Sequence, residues 1–120
     1  MKTVLIVDDA AFMRLSLKIM LEKNGFLIVG EAENGEVAVE KYKECHPDLV
    51  TMDIIMPKMS GIAAVQIIKG YDQKAKIIMV SALGETGFLV KAIESGARHF
   101  IVKPFNEKHV VETINNVLAM

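Results

Sequence analysis

Four short runs of apolar residues constrain this chain more than any other feature: Val4-Leu5-Ile6-Val7, Leu49-Val50-Thr51-Met52, Ile77-Ile78-Met79-Val80 and Phe100-Ile101-Val102. They are rich in β-branched side chains and lack the polar alternation of a half-exposed strand, which predicts parallel strands buried on both faces. A fifth run, Leu27-Ile28-Val29, breaks into Gly30-Glu31 and reads as an edge strand. Between the runs the apolar spacing turns helical. Met13, Leu17, Met20 and Leu21 follow i, i+4, i+7, i+8, and Val110, Val111, Ile114, Val117 and Leu118 repeat the scheme. Shorter helices are predicted over Glu36 to Lys43, opened by Asn34-Gly35, over Gly61 to Lys69, and over Glu85 to Ser95, closed by Gly96. Five β-α units with short connections predict an α/β fold: a single five-stranded parallel sheet with helices on both faces. At 120 residues the chain has room for one such domain, spanning 1–120.

In an open sheet of this kind a ligand binds beyond the carboxyl ends of the strands. The residues that end the runs are polar: Asp8-Asp9 after the first, Asp53 after the third strand, Ser81 after the fourth and Lys103 after the fifth. Any one of them could simply mark a strand reaching solvent. Together they bring three carboxylates, a hydroxyl and an ammonium to one edge. Two unit charges ~5 Å apart at an effective dielectric of ~20 repel by roughly 3 kcal/mol, which a bound cation would remove. Hard carboxylate oxygens with an open face suit Mg²⁺. The set then suits phosphoryl transfer: Asp53 attacks as a carboxylate and forms an acyl phosphate, Ser81 donates to one phosphoryl oxygen, and Lys103 pairs with another.

Bulk properties exclude several other roles. Fourteen basic against fifteen acidic residues leave a net charge of -1, so there is no basic field to draw nucleic acid or an anionic membrane. The lone Cys45 cannot pair internally, no signal peptide precedes the first run, and no stretch reaches the ~20 apolar residues of a membrane span. A cytoplasmic monomer is the expectation. His46, His99 and His109 are scattered, and the eight methionines read as flexible packing.

The blocks Val7-Asp8-Asp9, Met52-Asp53-Ile54-Ile55-Met56-Pro57-Lys58-Met59-Ser60-Gly61, Val80-Ser81-Ala82 and Val102-Lys103-Pro104-Phe105 resemble the signature blocks of two-component response-regulator receiver domains, in order and along the whole chain. Asp8-Asp9-Ala10-Ala11-Phe12-Met13-Arg14 and the length are most similar to the stand-alone chemotaxis regulators of that family. The resemblance implies a flavodoxin-like (βα)5 sheet in the order 2-1-3-4-5 and makes Asp53 the phosphoacceptor. It assigns Asp9, Asp53 and the backbone carbonyl of Ile55 to Mg²⁺, with Asp8 holding a metal-bound water. Ser81 becomes the switch hydroxyl, and Phe100 the aromatic that turns inward with it, here without the hydroxyl of the tyrosine often found in the family. Lys103-Pro104 matches a bond that is cis in the family. The implied partners are a sensor histidine kinase or phosphotransfer protein as donor, a downstream target such as the flagellar motor switch, and a phosphatase.

Further expectations concern tuning and contact. Ile55 and Leu83, both apolar, flank the path of a water attacking the acyl phosphate and cannot orient it, so self-dephosphorylation should be slow. Phe12, Leu15 and Ile19 form a second apolar stripe on the first helix, suited to docking a phosphodonor. Gly84 and Gly87 weaken the start of the fourth helix, which with the fifth strand and fifth helix would form the output surface. The chain would then be a phosphoacceptor switch, not a turnover enzyme. An excised receiver or a phosphorelay intermediate is the alternative within the family, although a final helix without a basic or flexible tail favours a stand-alone protein. A haloacid-dehalogenase-like phosphatase would place its nucleophile on the first strand and carry a cap. A flavodoxin-like FMN binder would not put Asp8-Asp9 where phosphate must sit.

Overall fold

A run such as Val4 to Val7 can be left facing water on neither side, so it must lie between two layers. The computed structural model, which describes residues 1–82 and 86–120 apart from the side chain of Thr86, places it there. The elements alternate without exception: β1 (Thr3–Val7), α1 (Ala11–Lys23), β2 (Leu27–Ala32), α2 (Gly35–Cys45), β3 (Leu49–Asp53), α3 (Gly61–Tyr71), β4 (Ile77–Ala82), α4 (Thr86–Glu94), β5 (His99–Lys103) and α5 (Glu107–Leu118). The strands form one parallel sheet in the order β2-β1-β3-β4-β5.

Alternation along each strand divides the core into two layers. Leu5, Val7, Val50, Met52, Ile77 and Met79 face α2, α3 and α4, meeting Ala38, Tyr42, Ala64, Val65, Ile68 and Ala92. Val4, Ile6, Leu49, Ile78, Val80 and Ile101 face α1 and α5, meeting Leu17, Leu21, Val110, Ile114 and Val117. The helical stripes predicted for the first and last helices therefore point inward. Met13 and Met20 of the first stripe are only partly buried, because the helix rolls so that Leu17 and Leu21 take the deepest positions.

One prediction fails on β5. Its run reads as buried on both faces, yet β5 lies at the sheet edge and Phe100 is 40% exposed. An edge strand has a neighbour on one side only, and α4 leaves part of its outer face uncovered. Helix termini follow local chemistry. The Asn34 side chain accepts from the Val37 N–H, Ser60 from Ala63 and Asn106 from His109, each satisfying an otherwise unpaired donor of the first turn. Gly96 ends the fourth helical segment at φ 120°, a conformation that L side chains resist.

Thr51 is a polar residue inside an apolar strand. It is 1% exposed, and among the described residues its hydroxyl has no hydrogen-bond partner. Valine has nearly the same shape without that orphaned group, so Thr51→Val should stabilise the fold by about 1 kcal/mol. Urea unfolding would show it as a higher midpoint at unchanged slope.

Candidate functional site

The carboxyl edge of the sheet gathers what the strand ends promise. Asp8 follows β1, Asp53 ends β3, Ser81 lies near the end of β4 and Lys103 ends β5. Asp8, Asp9 and Asp53 each offer a carboxylate oxygen, and these oxygens lie within 4.8 Å of one another. Asp8 and Asp53 are buried, while Asp9 is exposed. The Lys103 ammonium reaches into the group, 3.1 Å from Asp8 Oδ2 and 3.7 Å from Asp53 Oδ2. Among the described residues, three acids thus face one ammonium at the site.

Asp53 registers that imbalance. Burial, and after it the charge of Asp8, push its pKa up from 3.8 to about 6; Lys103 and the Ile54 N–H that donates to Oδ1 at 2.8 Å oppose the rise. Asp53 therefore remains largely ionised at neutral pH, but a further cation in the cluster would be strongly welcomed. Buried and open oxygens of this kind, with excess negative charge, fit Mg²⁺.

The backbone that presents Asp53 is closely packed. Gly61 opens α3 directly against β3: its N–H donates to the Ile54 carbonyl at 2.7 Å, and a Cβ there would collide with the Asp53 carbonyl oxygen. Gly35, at the start of α2, donates to the Met59 carbonyl at 3.0 Å and supports the same loop from the other side. These glycines stand in recognisable motifs, but their role depends on contacts across the loop that no spacing reveals.

The other predicted residues divide into those brought to the site and those placed around it. Ser81 is fully buried, and among the described residues its hydroxyl has no hydrogen-bond partner. Ile55 lies two residues beyond Asp53 with its side chain 56% exposed. The Lys103-Pro104 bond is cis. Phe100 faces α4, where with Leu89, Val90 and Ile93 it lines an apolar groove of about 370 Å³. Phe12, Leu15 and Ile19 are exposed on α1, 78%, 54% and 59% respectively, so among the described residues no loop covers the stripe. Leu83 and Gly84 lie outside the described residues; Gly87 falls in the first turn of α4. Among the described residues the histidines stay apart, at the end of α2, the start of β5 and within α5.

Sequence reading missed Arg14, whose guanidinium donates from Nη1 to the Asp8 carbonyl at 2.6 Å and from Nε to Glu31 at 3.1 Å. Its partner lies on β2, seventeen positions away, and only the folded register brings them together.

A parallel sheet in this order carries an acid cluster and a lysine at its carboxyl edge, and comparison with known proteins shows the family to which such a domain belongs. The family model of the response regulator receiver domain matches residues 4–115, and the chain belongs to that family. Within it, the chain is 59% identical to the chemotaxis protein CheY of Bacillus subtilis, over 96% of each chain, and 56% identical to the CheY of Thermotoga maritima, over 97% of each. Among solved structures it is similar to the CheX–CheY–BeF3–Mg²⁺ complex of Borrelia burgdorferi, with TM-score 0.92, 41% identity, and coverage of 97% of this chain and 88% of that one. Among the described residues no helix is long and apolar enough to cross a membrane.

Proposed function

We propose that this chain is a cytoplasmic switch whose Asp53 accepts a phosphoryl group from the phosphohistidine of a sensor kinase or phosphotransfer protein in a Mg²⁺-dependent reaction. The observation that carries the reading is the single cluster of Asp8, Asp9, Asp53 and Lys103. Asp9, Asp53 and the Ile55 carbonyl would hold the ion, with Asp8 acting through water. When bound, Mg²⁺ supplies positive charge to the acids and to the phosphoryl oxygens. Asp53 attacks phosphorus with a carboxylate oxygen; the O–P bond forms as the P–N bond breaks, and the electron pair leaves with the imidazole nitrogen. Lys103 moves from bridging Asp8 and Asp53 to pairing with a phosphoryl oxygen. The unpaired Ser81 hydroxyl donates to another, and the movement of Ser81 lets Phe100 turn from its exposed position toward the interior. Each domain carries one phosphoryl group at a time and passes on a shape, not a product.

The apolar stripe of Phe12, Leu15 and Ile19 beside the site suits the donor's helix. Changing Leu15 to a charged residue should slow transfer from the kinase and leave uptake from acetyl phosphate untouched. The groove at Phe100, with α5, is the output face, and the similarity to chemotaxis relatives supports a flagellar motor switch as its target. A relative complexed with a second protein supports a further partner, such as a phosphatase. The test is capture by the purified motor switch protein with and without beryllofluoride and Mg²⁺. Binding that strengthens with the mimic supports the motor role. Transfer of the phosphoryl group onward to a histidine phosphotransfer domain would instead make the chain a phosphorelay intermediate.

The exposed, apolar Ile55 cannot hold a water in line with the acyl phosphate. Ile55→Asn should therefore release phosphate severalfold faster, measured as decay of the phosphorylated protein after donor removal. An unchanged time course would remove Ile55 from this role.

A further inference from the structure

Asp8 is held at four points. Its N–H donates to the Ala32 carbonyl at 3.0 Å, its Oδ1 accepts from the Ala10 N–H at 2.9 Å, its Oδ2 meets Lys103, and its carbonyl oxygen accepts from Arg14. The last contact differs in kind from the others, because the Asp8 carbonyl belongs to the peptide unit that joins Asp8 to Asp9. Asp9 is exposed, and its carboxylate oxygen nevertheless lies within 4.8 Å of those of Asp8 and Asp53. The plane of the Asp8-Asp9 peptide sets where the Asp9 side chain departs, and the guanidinium is what anchors that plane from α1.

Arg14 is itself oriented. Its Nε donates to Glu31 of β2 at 3.1 Å while Nη1 reaches the Asp8 carbonyl, and the Arg14 side chain is only 17% exposed. A planar fork can satisfy both acceptors in one geometry, whereas a lysine ammonium is a single point of charge on a flexible stem. We propose that Arg14, oriented by Glu31, is a positioning residue that fixes the Asp8-Asp9 peptide so that the carboxylates of Asp9 and Asp53 are preset for a divalent cation. This rests on the Mg²⁺ reading given under the proposed function.

The sign of the effect separates positioning from simple charge. A guanidinium beside an acidic cluster repels a cation, so if Arg14 acted only through its charge, Arg14→Met would tighten Mg²⁺ binding. Positioning predicts the opposite. Groups that orient metal ligands typically carry about 10–100-fold of metal affinity, and Arg14→Met should weaken binding by about tenfold. Arg14→Lys keeps the charge but loses the fork, and should weaken binding by a smaller, measurable factor.

Mg²⁺ affinity is read by titration calorimetry and by amide chemical shifts of Asp9, Ala10 and Ile54, with no phosphodonor present. Unfolding in chelator verifies that each variant is folded, and Arg14→Lys provides the decisive measurement if Arg14→Met is not. Weaker binding in the folded variants, with the shift changes centred on Asp9, supports the proposal. Affinity that is unchanged or tighter in either folded variant overturns it. A wild-type protein that shows no Mg²⁺ binding would overturn the Mg²⁺ reading itself, and the positioning role with it.

Discussion

Replacing Asp53 with Asn is expected to abolish phosphoryl uptake and, in the same protein, to stabilise the fold at neutral pH. An amide has no anionic oxygen with which to attack phosphorus, so incorporation from acetyl phosphate should fall to background. The gain in stability has a separate cause. Burial and Asp8 raise the Asp53 pKa from 3.8 to about 6, so the folded state holds this proton more tightly than the unfolded chain does. The corresponding stability is fully present below the unfolded pKa and is lost as pH rises through about 6. Above that, ionised Asp53 costs on the order of 2–3 kcal/mol, which Asn avoids. In chelator the variant should therefore unfold at higher urea than the parent at neutral pH, and the two curves should converge as pH falls toward 4. Equal stability at neutral pH would mean that the acids are not in conflict.

The opposite effect is expected for Lys103→Met. Lys103 is 3.1 Å from the nearly inaccessible Asp8 and 3.7 Å from Asp53, and its loss leaves both carboxylates buried without this counter-charge. Removing one partner of a buried ion pair typically destabilises by about 3–5 kcal/mol. The variant should be far less stable than the parent in chelator, and Mg²⁺ should restore more stability to it than to the parent, because a divalent cation supplies the charge that was removed. Denaturant midpoints with chelator and with Mg²⁺ give both numbers. Combining the substitution with Asp53→Asn should cost less than the sum of the separate effects, since the second acid is no longer there to be stranded. A loss below about 0.5 kcal/mol for Lys103→Met alone would show that the lysine is not balancing the cluster.

Most of the architecture is legible in the sequence, because residues buried on both faces of a strand leave no room for polar alternation. Val4 to Val7 and Ile77 to Val80 are of this kind. Four of the five strands also end at or beside a residue whose chemistry has a use, Asp8, Asp53, Ser81 and Lys103, whereas β2 ends on Ala32. Strand position within the sheet is another matter. Phe100-Ile101-Val102 has the composition of an interior strand, and only the folded order makes it an edge with Phe100 half out. The sheet order itself was implied by family resemblance, not by periodicity. Site features that depend on distance across the fold were equally hidden. The elevated pKa of Asp53 follows from burial and from Asp8, forty-five positions earlier in the chain. The Arg14–Glu31 pair depends on where α1 meets β2. The Ser81 hydroxyl, without a partner among the described residues, is likewise a property of the folded packing.

Site mapping shows whether Asp53 itself carries the phosphoryl group. The protein is incubated with acetyl phosphate and Mg²⁺, the acyl phosphate is reduced with borohydride, and the chain is digested and sequenced by mass spectrometry. Reduction converts a phosphorylated aspartate to homoserine. Homoserine at position 53, dependent on both phosphodonor and Mg²⁺, is the predicted result. Homoserine at Asp8 or Asp9 instead, or a phosphoryl group that survives as an ester on a serine or threonine, would contradict it.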